Sequence, residues 1–307
     1  MNETYYSNGK LLITGEYLVL NGAKALALPT KFGQSLRVSS IPNKIIIWTS
    51  FDADKSIWFE AELTFNDIIT VKNFDEAHPI KNTLVKILHQ ANFQNPNFLA
   101  SETGFKIETE LTFPRNWGLG TSSTLINNIA QWLQIDAFEL LRKSFGGSGY
   151  DIACAQNNSA ITYQLDEKEQ PIVEVVDFYP NYKENIYFVY LNKKQNSRHA
   201  IQNYMNKQQF LTKKTATISE ITNRMVLSSN LEDTIDLLKH HEVILSDILE
   251  LETVKERLFS DFKGTIKSLG AWGGDFVMVL SKENPTHYFH LKGYETILTY
   301  DEMILFK

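Results

Sequence analysis

Pro114–Arg115–Asn116–Trp117–Gly118–Leu119–Gly120–Thr121–Ser122–Ser123 stands between two runs of different period. Upstream, Phe105, Ile107, Thr109, Leu111 and Phe113 alternate with more polar residues, which predicts a half-buried strand over 105–113. Downstream, Leu125, Ile126, Ile129, Trp132 and Leu133 recur at helical spacing, which predicts a helix over 121–134. Two close glycines and three hydroxyls therefore fall where a helix begins. Backbone N–H groups without intrahelical acceptors and the positive end of the helix dipole meet there and suit an anion, a phosphate first of all. Ser and Thr are also ordinary N-caps, and glycine-containing strand-to-helix turns are common. The spacing is not that of a GxxxxGK(S/T) P-loop, and the third glycine of a dinucleotide fingerprint is missing.

The chain around this segment has 307 residues, enough for two domains of ordinary size. Hydrophobic residues make up 43%, so a large core is available. A formal net charge of −6 argues against a nucleic-acid or membrane-surface partner and leaves room for a local basic site facing a small anionic substrate. The single cysteine, Cys154, excludes an internal disulfide and lies in a helix start, Asp151–Ile152–Ala153–Cys154–Ala155, that faces a core. It reads as a buried structural thiol. The N-terminus lacks the basic start and apolar run of a signal peptide, and no apolar run is long enough to span a bilayer. A cytoplasmic protein, monomeric or homodimeric, is expected.

Toward the N-terminus, Leu11–Leu12–Ile13 and Leu18–Val19–Leu20 read as strand cores, and Asn21–Gly22 is a hairpin signal. Ile45–Ile46–Ile47–Trp48 and Ile57–Trp58–Phe59 continue the sheet, so an antiparallel meander is expected. A helix over 80–92 presents Leu84, Ile87 and Leu88 on one side. Toward the C-terminus, a helix over 136–145 ends at Gly146–Gly147–Ser148–Gly149, and Tyr150–Asp151–Ile152–Ala153 opens another. Strands are expected at 161–163, 172–175, 186–191, 276–280 and 303–306, with 199–252 mainly helical. This order implies an α+β class with two domains meeting near 160–185.

Three further segments accompany the opening one. Gly9–Lys10 heads an apolar strand that runs into Gly15–Glu16–Tyr17. Lys10 reads either as a solvated edge lysine or as an ammonium facing a phosphate or a hydroxyl. Ser148–Gly149–Tyr150–Asp151 places a carboxylate at a helix start, where it suits the dipole or orients a reacting hydroxyl. Lys267–Ser268–Leu269–Gly270–Ala271–Trp272–Gly273–Gly274–Asp275 reads as a glycine loop before a strand, able to approach a ligand closely. In order and character these segments resemble the galactokinase, homoserine kinase, mevalonate kinase and phosphomevalonate kinase (GHMP) superfamily, over residues 9 to about 280. Tyr17 and the run Gly147–Ser148–Gly149–Tyr150–Asp151–Ile152–Ala153 are most similar to phosphomevalonate kinases, with mevalonate kinases next.

The resemblance implies a two-domain GHMP kinase fold: an N-terminal ATP-binding domain over 1–165, like a domain of a small-subunit ribosomal protein, and a ferredoxin-like α/β C-terminal domain over 166–307. It implies ATP and Mg²⁺ as cofactors. Pro114, Trp117, Gly118, Leu119, Gly120, Thr121, Ser122 and Ser123 would hold the nucleotide, and Ser122 and Glu139 the metal. Asp151 and Lys10 would be catalytic, and Glu16, Tyr17, Ser148, Gly149, Ser197, Gly270, Gly273 and Gly274 would face the acceptor. The implied activity is phosphorylation of mevalonate or phosphomevalonate, with a homoserine or sugar kinase, or a binding protein that has lost catalysis, as alternatives. Asn116 and Trp117, and Trp272, replace the family's small residues. The indoles would stack on a base, narrow the pocket or pack outward.

Overall fold

The computed structural model describes residues 2–71, 77–193, 204–205, 211–270, 272 and 274–306. The expected substrate residues Ser197 and Gly273 lie outside the described residues. The chain divides into two compact units, Met1–Gly9, Phe32–Arg115 and Leu119–Gln156 forming the first, and Lys10–Lys31, Asn116–Gly118 and Asn157–Lys307 the second. Strands β1 (Asn2–Thr14) and β2 (Ala25–Ile41) each run through both.

In the first unit, β2 is followed by β3 (Ile45–Phe51), β4 (Ile57–Thr64), α1 (Phe65–Thr70), α2 (Pro79–Gln94), β5 (Gly104–Leu111), α3 (Thr121–Leu133), α4 (Ala137–Ser144) and α5 (Tyr150–Gln156). The strand order is β4-β3-β5-β2, which replaces the expected meander. β5 inserts between β2 and β3 and pairs parallel to β3, Trp48 standing opposite Ile107. Such a parallel pair needs a crossover, and α1 and α2 supply it. Alternation identified these strands, but it carries no information about which strand is the neighbour. Leu36, Trp48, Leu63 and Ile107 pack in one core with Leu84, Ile87 and Leu88 of α2 and Ile126 and Ile129 of α3. Cys154 is buried, as expected.

A polar network fixes the first half of α3. Thr124 Oγ1 donates to Gln34 Oε1 at 2.8 Å, Asn128 Nδ2 to the Gln34 carbonyl at 2.9 Å, and Ser7 Oγ to Asn128 Oδ1 at 2.7 Å. All four residues are buried, so these bonds form in a low-dielectric setting where geometry is strongly specified.

The second unit pairs the start of β2 with β6 (Ile161–Leu165), which pairs with β7 (Pro171–Val175). There follow β8 (Ile186–Tyr190), α6 (Thr212–Leu227), α7 (Leu231–Leu249), α8 (Val254–Leu258), β9 (Thr265–Ser268), β10 (Phe276–Leu280), α9 (Thr286–Leu291), β11 (Ile297–Thr299) and α10 (Tyr300–Met303). A separate antiparallel sheet has the order β11-β8-β10-β9 and buries Val189, Ile266, Val277 and Val279 with Phe259 and Phe289. Three expectations are corrected. Leu18–Val19–Leu20 is no strand but a 3₁₀ turn, Leu18–Asn21, between Tyr17 at φ 61° and Gly22 at φ 79°. A short apolar run signals burial without fixing the backbone that achieves it. Residues 303–306 contribute only a bridge, Thr30 to Ile304, and the outer strand is β11. Lys267 and Ser268 belong to strand β9 and not to a loop. Among the described residues no helix is long and apolar enough to cross a membrane.

Candidate functional site

In the first unit the site is the start of α3. Gly120, at φ 97°, is its N-cap and offers no side chain to the first amides. Ser123 Oγ donates back to the Gly120 carbonyl at 2.8 Å, whereas Thr124 Oγ1, whose proton goes to Gln34, lies 3.1 Å from that carbonyl. The hydroxyls of Thr121 and Ser122 are partly exposed and have no hydrogen-bond partner among the described residues. An uncapped helix start with two available hydroxyls is a ready oxyanion site. Buried Leu119 anchors the loop just before it, and Pro114 is half-buried at its entrance.

α5 packs against α3, and Gln156 Nε2 donates to Asn127 Oδ1 at 3.1 Å between them. Asp151 lies in the first turn of α5, where its Oδ1 accepts the Ile152 amide at 3.1 Å. The turn before it needs glycine: Gly146, Gly147 and Gly149 all have positive φ. Ser148 is half-buried in that turn. Glu139 is in the first turn of α4, after the C-terminal end of α3. Among the described residues no group of three or more His, Cys, Asp or Glu side chains is placed to hold a metal ion.

In the second unit, three distant stretches meet at Gly118. Lys10 Nζ donates to the Gly118 carbonyl at 3.1 Å. A Cβ on Gly118, whose φ is 71°, would fall 2.4 Å from Cγ of Asp275. Asp275 is itself at φ 52° and is pinned on both sides: its amide donates to the Lys193 carbonyl at 2.7 Å, and its carbonyl accepts the Leu191 amide at 2.8 Å. Gly270, at φ 67°, also faces the Asp275 carboxylate, and Gly274 is buried beside it in sequence.

Both indoles pack within this unit. The Trp117 ring meets Phe276 edge-on, centroids 5.4 Å apart, and lies 6.3 Å from Tyr190, whose hydroxyl donates to the Asn116 carbonyl at 3.1 Å. Burial, with Asp275 adding to it, pushes the Tyr190 hydroxyl pKa up. Trp272 is buried, and its Nε1 donates to the Glu252 carbonyl at 3.3 Å. Its backbone N–H donates to the Tyr17 hydroxyl at 3.2 Å.

Glu16 is only 2% exposed and contacts a buried lysine, Lys267, instead of open space. Lys267, His241 and Glu242 form a cluster with it that sequence reasoning missed. A signal was present: His241 and Glu242 fall among Leu237, Leu238, Ile244 and Leu245 on the buried side of α7. Polar residues at core positions of a helix need partners.

No family model matches the chain, and no curated protein matches it. Solved structures do. The mevalonate kinase of Methanococcus jannaschii superposes with a TM-score of 0.69 at 15% identity, over 100% of this chain and 99% of that one. The Streptococcus pneumoniae phosphomevalonate kinase, in complex with phosphomevalonate and AMPPNP, gives 0.67 at 17% identity, over 95% of each chain. The Lactococcus lactis galactokinase complexed with galactose gives 0.61 at 13% identity, over 99% of this chain and 93% of that one. The chain has the two-domain α+β fold of the GHMP kinases, as its ordered motifs imply.

Proposed function

We propose that this chain is an ATP-dependent kinase of the GHMP type, transferring a phosphoryl group to a small acceptor, mevalonate or phosphomevalonate before homoserine or a sugar. The observation that carries the reading is the convergence of Lys10 and Asp275 on Gly118, two residues before the uncapped start of α3. Phosphoryl transfer needs positioning and charge neutralisation more than covalent chemistry by the protein. The amides of Thr121, Ser122 and Ser123 would hold the nucleotide phosphates, with Pro114, Trp117, Gly118, Leu119 and Gly120 shaping the loop. Asp151 would orient the acceptor hydroxyl or take its proton, and Lys10 would neutralise charge on the transferred group. A phosphate acceptor is already anionic, and Asp151 would then position it. Tyr17, Ser148, Gly149, Ser197, Gly270, Gly273 and Gly274 would lie on the acceptor side.

Mg²⁺ fits this site incompletely. Ser122 would offer one hydroxyl oxygen and Glu139, in the first turn of α4, a carboxylate, and no group of three or more His, Cys, Asp or Glu side chains joins them among the described residues. The protein is proposed to work in the cytoplasm as a monomer or homodimer. The test is ATP consumption with mevalonate, phosphomevalonate, homoserine and galactose, beside AMPPNP binding by calorimetry. No turnover and no binding would overturn the reading. One second reading is a nucleotide-binding protein without turnover, which binding of AMPPNP alone would select.

A further inference from the structure

The second unit holds a buried ion cluster that the proposed chemistry does not use. Lys267, on β9, is fully buried, and its ammonium donates to Glu16 Oε1 at 2.5 Å and to the Ser268 carbonyl. It stands 3.2 Å from Glu242 Oε1 on α7, whose other oxygen accepts the Ser268 hydroxyl at 3.1 Å. His241 Nε2 accepts the Gly15 amide at 2.9 Å and lies 3.2 Å from Glu16 Oε2. The imidazole is therefore neutral with its proton on Nδ1, consistent with burial and the nearby Lys267 ammonium driving its pKa down.

A buried ion cluster is a weak source of stability, because desolvation offsets the mutual attraction of its charges. What it holds here is a turn. Gly15 is at φ 91°, where an added Cβ would sit 2.6 Å from that of Ala25. Tyr17 is at φ 61°, a conformation that disfavours a bulky side chain. Glu16 sits between them, bonded to Lys267, and the turn delivers the Tyr17 hydroxyl to the Trp272 amide. Trp272 lies in the connection from β9 to β10, which begins just after Lys267 and ends with Asp275 against Gly118.

We infer that Lys267 and Glu16 are positioning residues for this connection. The cluster fastens the 15–17 turn to β9 and α7, and the turn holds Trp272 through Tyr17. Asp275 and the Gly118 carbonyl that orients Lys10 are set in consequence. Glu16 thereby acts on the site from inside the unit and not by touching the acceptor. The effect on nucleotide rests on the proposed kinase reading; the geometry of the connection does not.

Lys267→Met alone would leave two carboxylates unpaired in the core. The test therefore uses Lys267→Met combined with Glu16→Gln and Glu242→Gln, which removes the charges together. Tyr17→Phe is its companion, leaving the cluster's charges in place and removing the hydroxyl that accepts the Trp272 amide. Trp272 emission is taken as the difference between each protein and the same protein carrying Trp272→Phe. Both variants are expected to melt cooperatively, to shift Trp272 emission to the red and to weaken AMPPNP binding about tenfold or more. Unchanged Trp272 emission in both folded variants would overturn the inference. If the triple variant does not fold, Tyr17→Phe decides alone by the same readout. If the parent protein binds no AMPPNP, the kinase reading fails, and the emission readout still decides the positioning role.

Discussion

Gly118→Ala tests the point where the site is assembled. Two effects oppose the new methyl group. The first is conformational: φ 71° lies in the left-handed region, which costs a non-glycine residue about 1–2 kcal/mol. The second is collision: the Cβ would fall 2.4 Å from Asp275 Cγ and 2.5 Å from Oδ2. Carbon atoms pack at about 3.5–4.0 Å, so the carboxylate or the loop must move by about 1 Å. Asp275 yields poorly, because its amide and carbonyl are both hydrogen-bonded. If the loop positions a phosphate as proposed, a displacement of about 1 Å should lower turnover about 100-fold.

Gly146→Ala separates the two effects, since Gly146 has φ 82° and nothing within 4 Å of the added methyl. It should show the conformational term alone in a thermal melt. Gly118→Ala should lose more, and the excess should vanish when Asp275→Gly is added, giving a coupling of about 0.5–3 kcal/mol in the double-mutant cycle. Equal losses at the two glycines, or a cycle that is additive, would refute the reasoning that Asp275 bears on Gly118.

Asp151→Asn should lower turnover about 100-fold or more while leaving calorimetric AMPPNP affinity nearly unchanged; full activity would remove Asp151 from the mechanism. Lys10→Met should lower kcat more than nucleotide affinity, because it removes the ammonium held on Gly118 and leaves the buried strand residues Leu11–Leu12–Ile13 in place. His241 is held below its unfolded value of 6.5, first by burial, so the unfolded chain gains a proton there that the folded chain refuses. Its contribution is full above pH 6.5 and lost as the pH falls, by at most about 1.4 kcal/mol per pH unit. Burial raises Glu16 from 4.5 to about 7, which has the opposite sign: its penalty is full above pH 7 and disappears toward pH 4.5. Melting curves from pH 8 to 5 should therefore fall less steeply toward acid for His241→Gln than for the parent, and more steeply for Glu16→Gln. Parallel curves for all three proteins would contradict both assignments.

The strand at 104–111 and the helix at 121–133 were legible because their apolar residues keep one period throughout. The glycines at 118 and 120 were legible as a turn because little else tolerates their φ. Partnership was not legible: nothing local to Ile45–Phe51 says that β5, beyond a two-helix crossover, will be its parallel neighbour. Leu18–Val19–Leu20 misled because a buried 3₁₀ turn and a short buried strand share one composition. The cluster at Lys267 was hidden for a different reason. A lysine at the head of a glycine loop gives no sign of burial until its carboxylate, 251 positions away, is placed beside it. The indoles at 117 and 272 were ambiguous in sequence because packing inward, stacking on a ligand and facing water all use the same residue.

The division of the chain bears on how the protein is made. The polypeptide changes unit at 9/10, 31/32, 115/116, 118/119 and 156/157, so neither unit is one continuous segment. A fragment beginning at residue 166 would lack Lys10–Lys31 and would carry Lys267 without its partner Glu16. On a ribosome adding about 5–20 residues per second, Glu16 waits about 10–50 s before Lys267 exists. During that time β1, β2 and β6 are made, but α7 and β9, which carry His241, Glu242 and Lys267, are completed only at its end. Closing contacts over such separations slows folding and leaves unpaired strand edges exposed meanwhile. The arrangement that joins Lys10, Gly118 and Asp275 in one place thus also makes the second unit a late-completing body whose first-made turn, at 15–17, waits for α7 and β9.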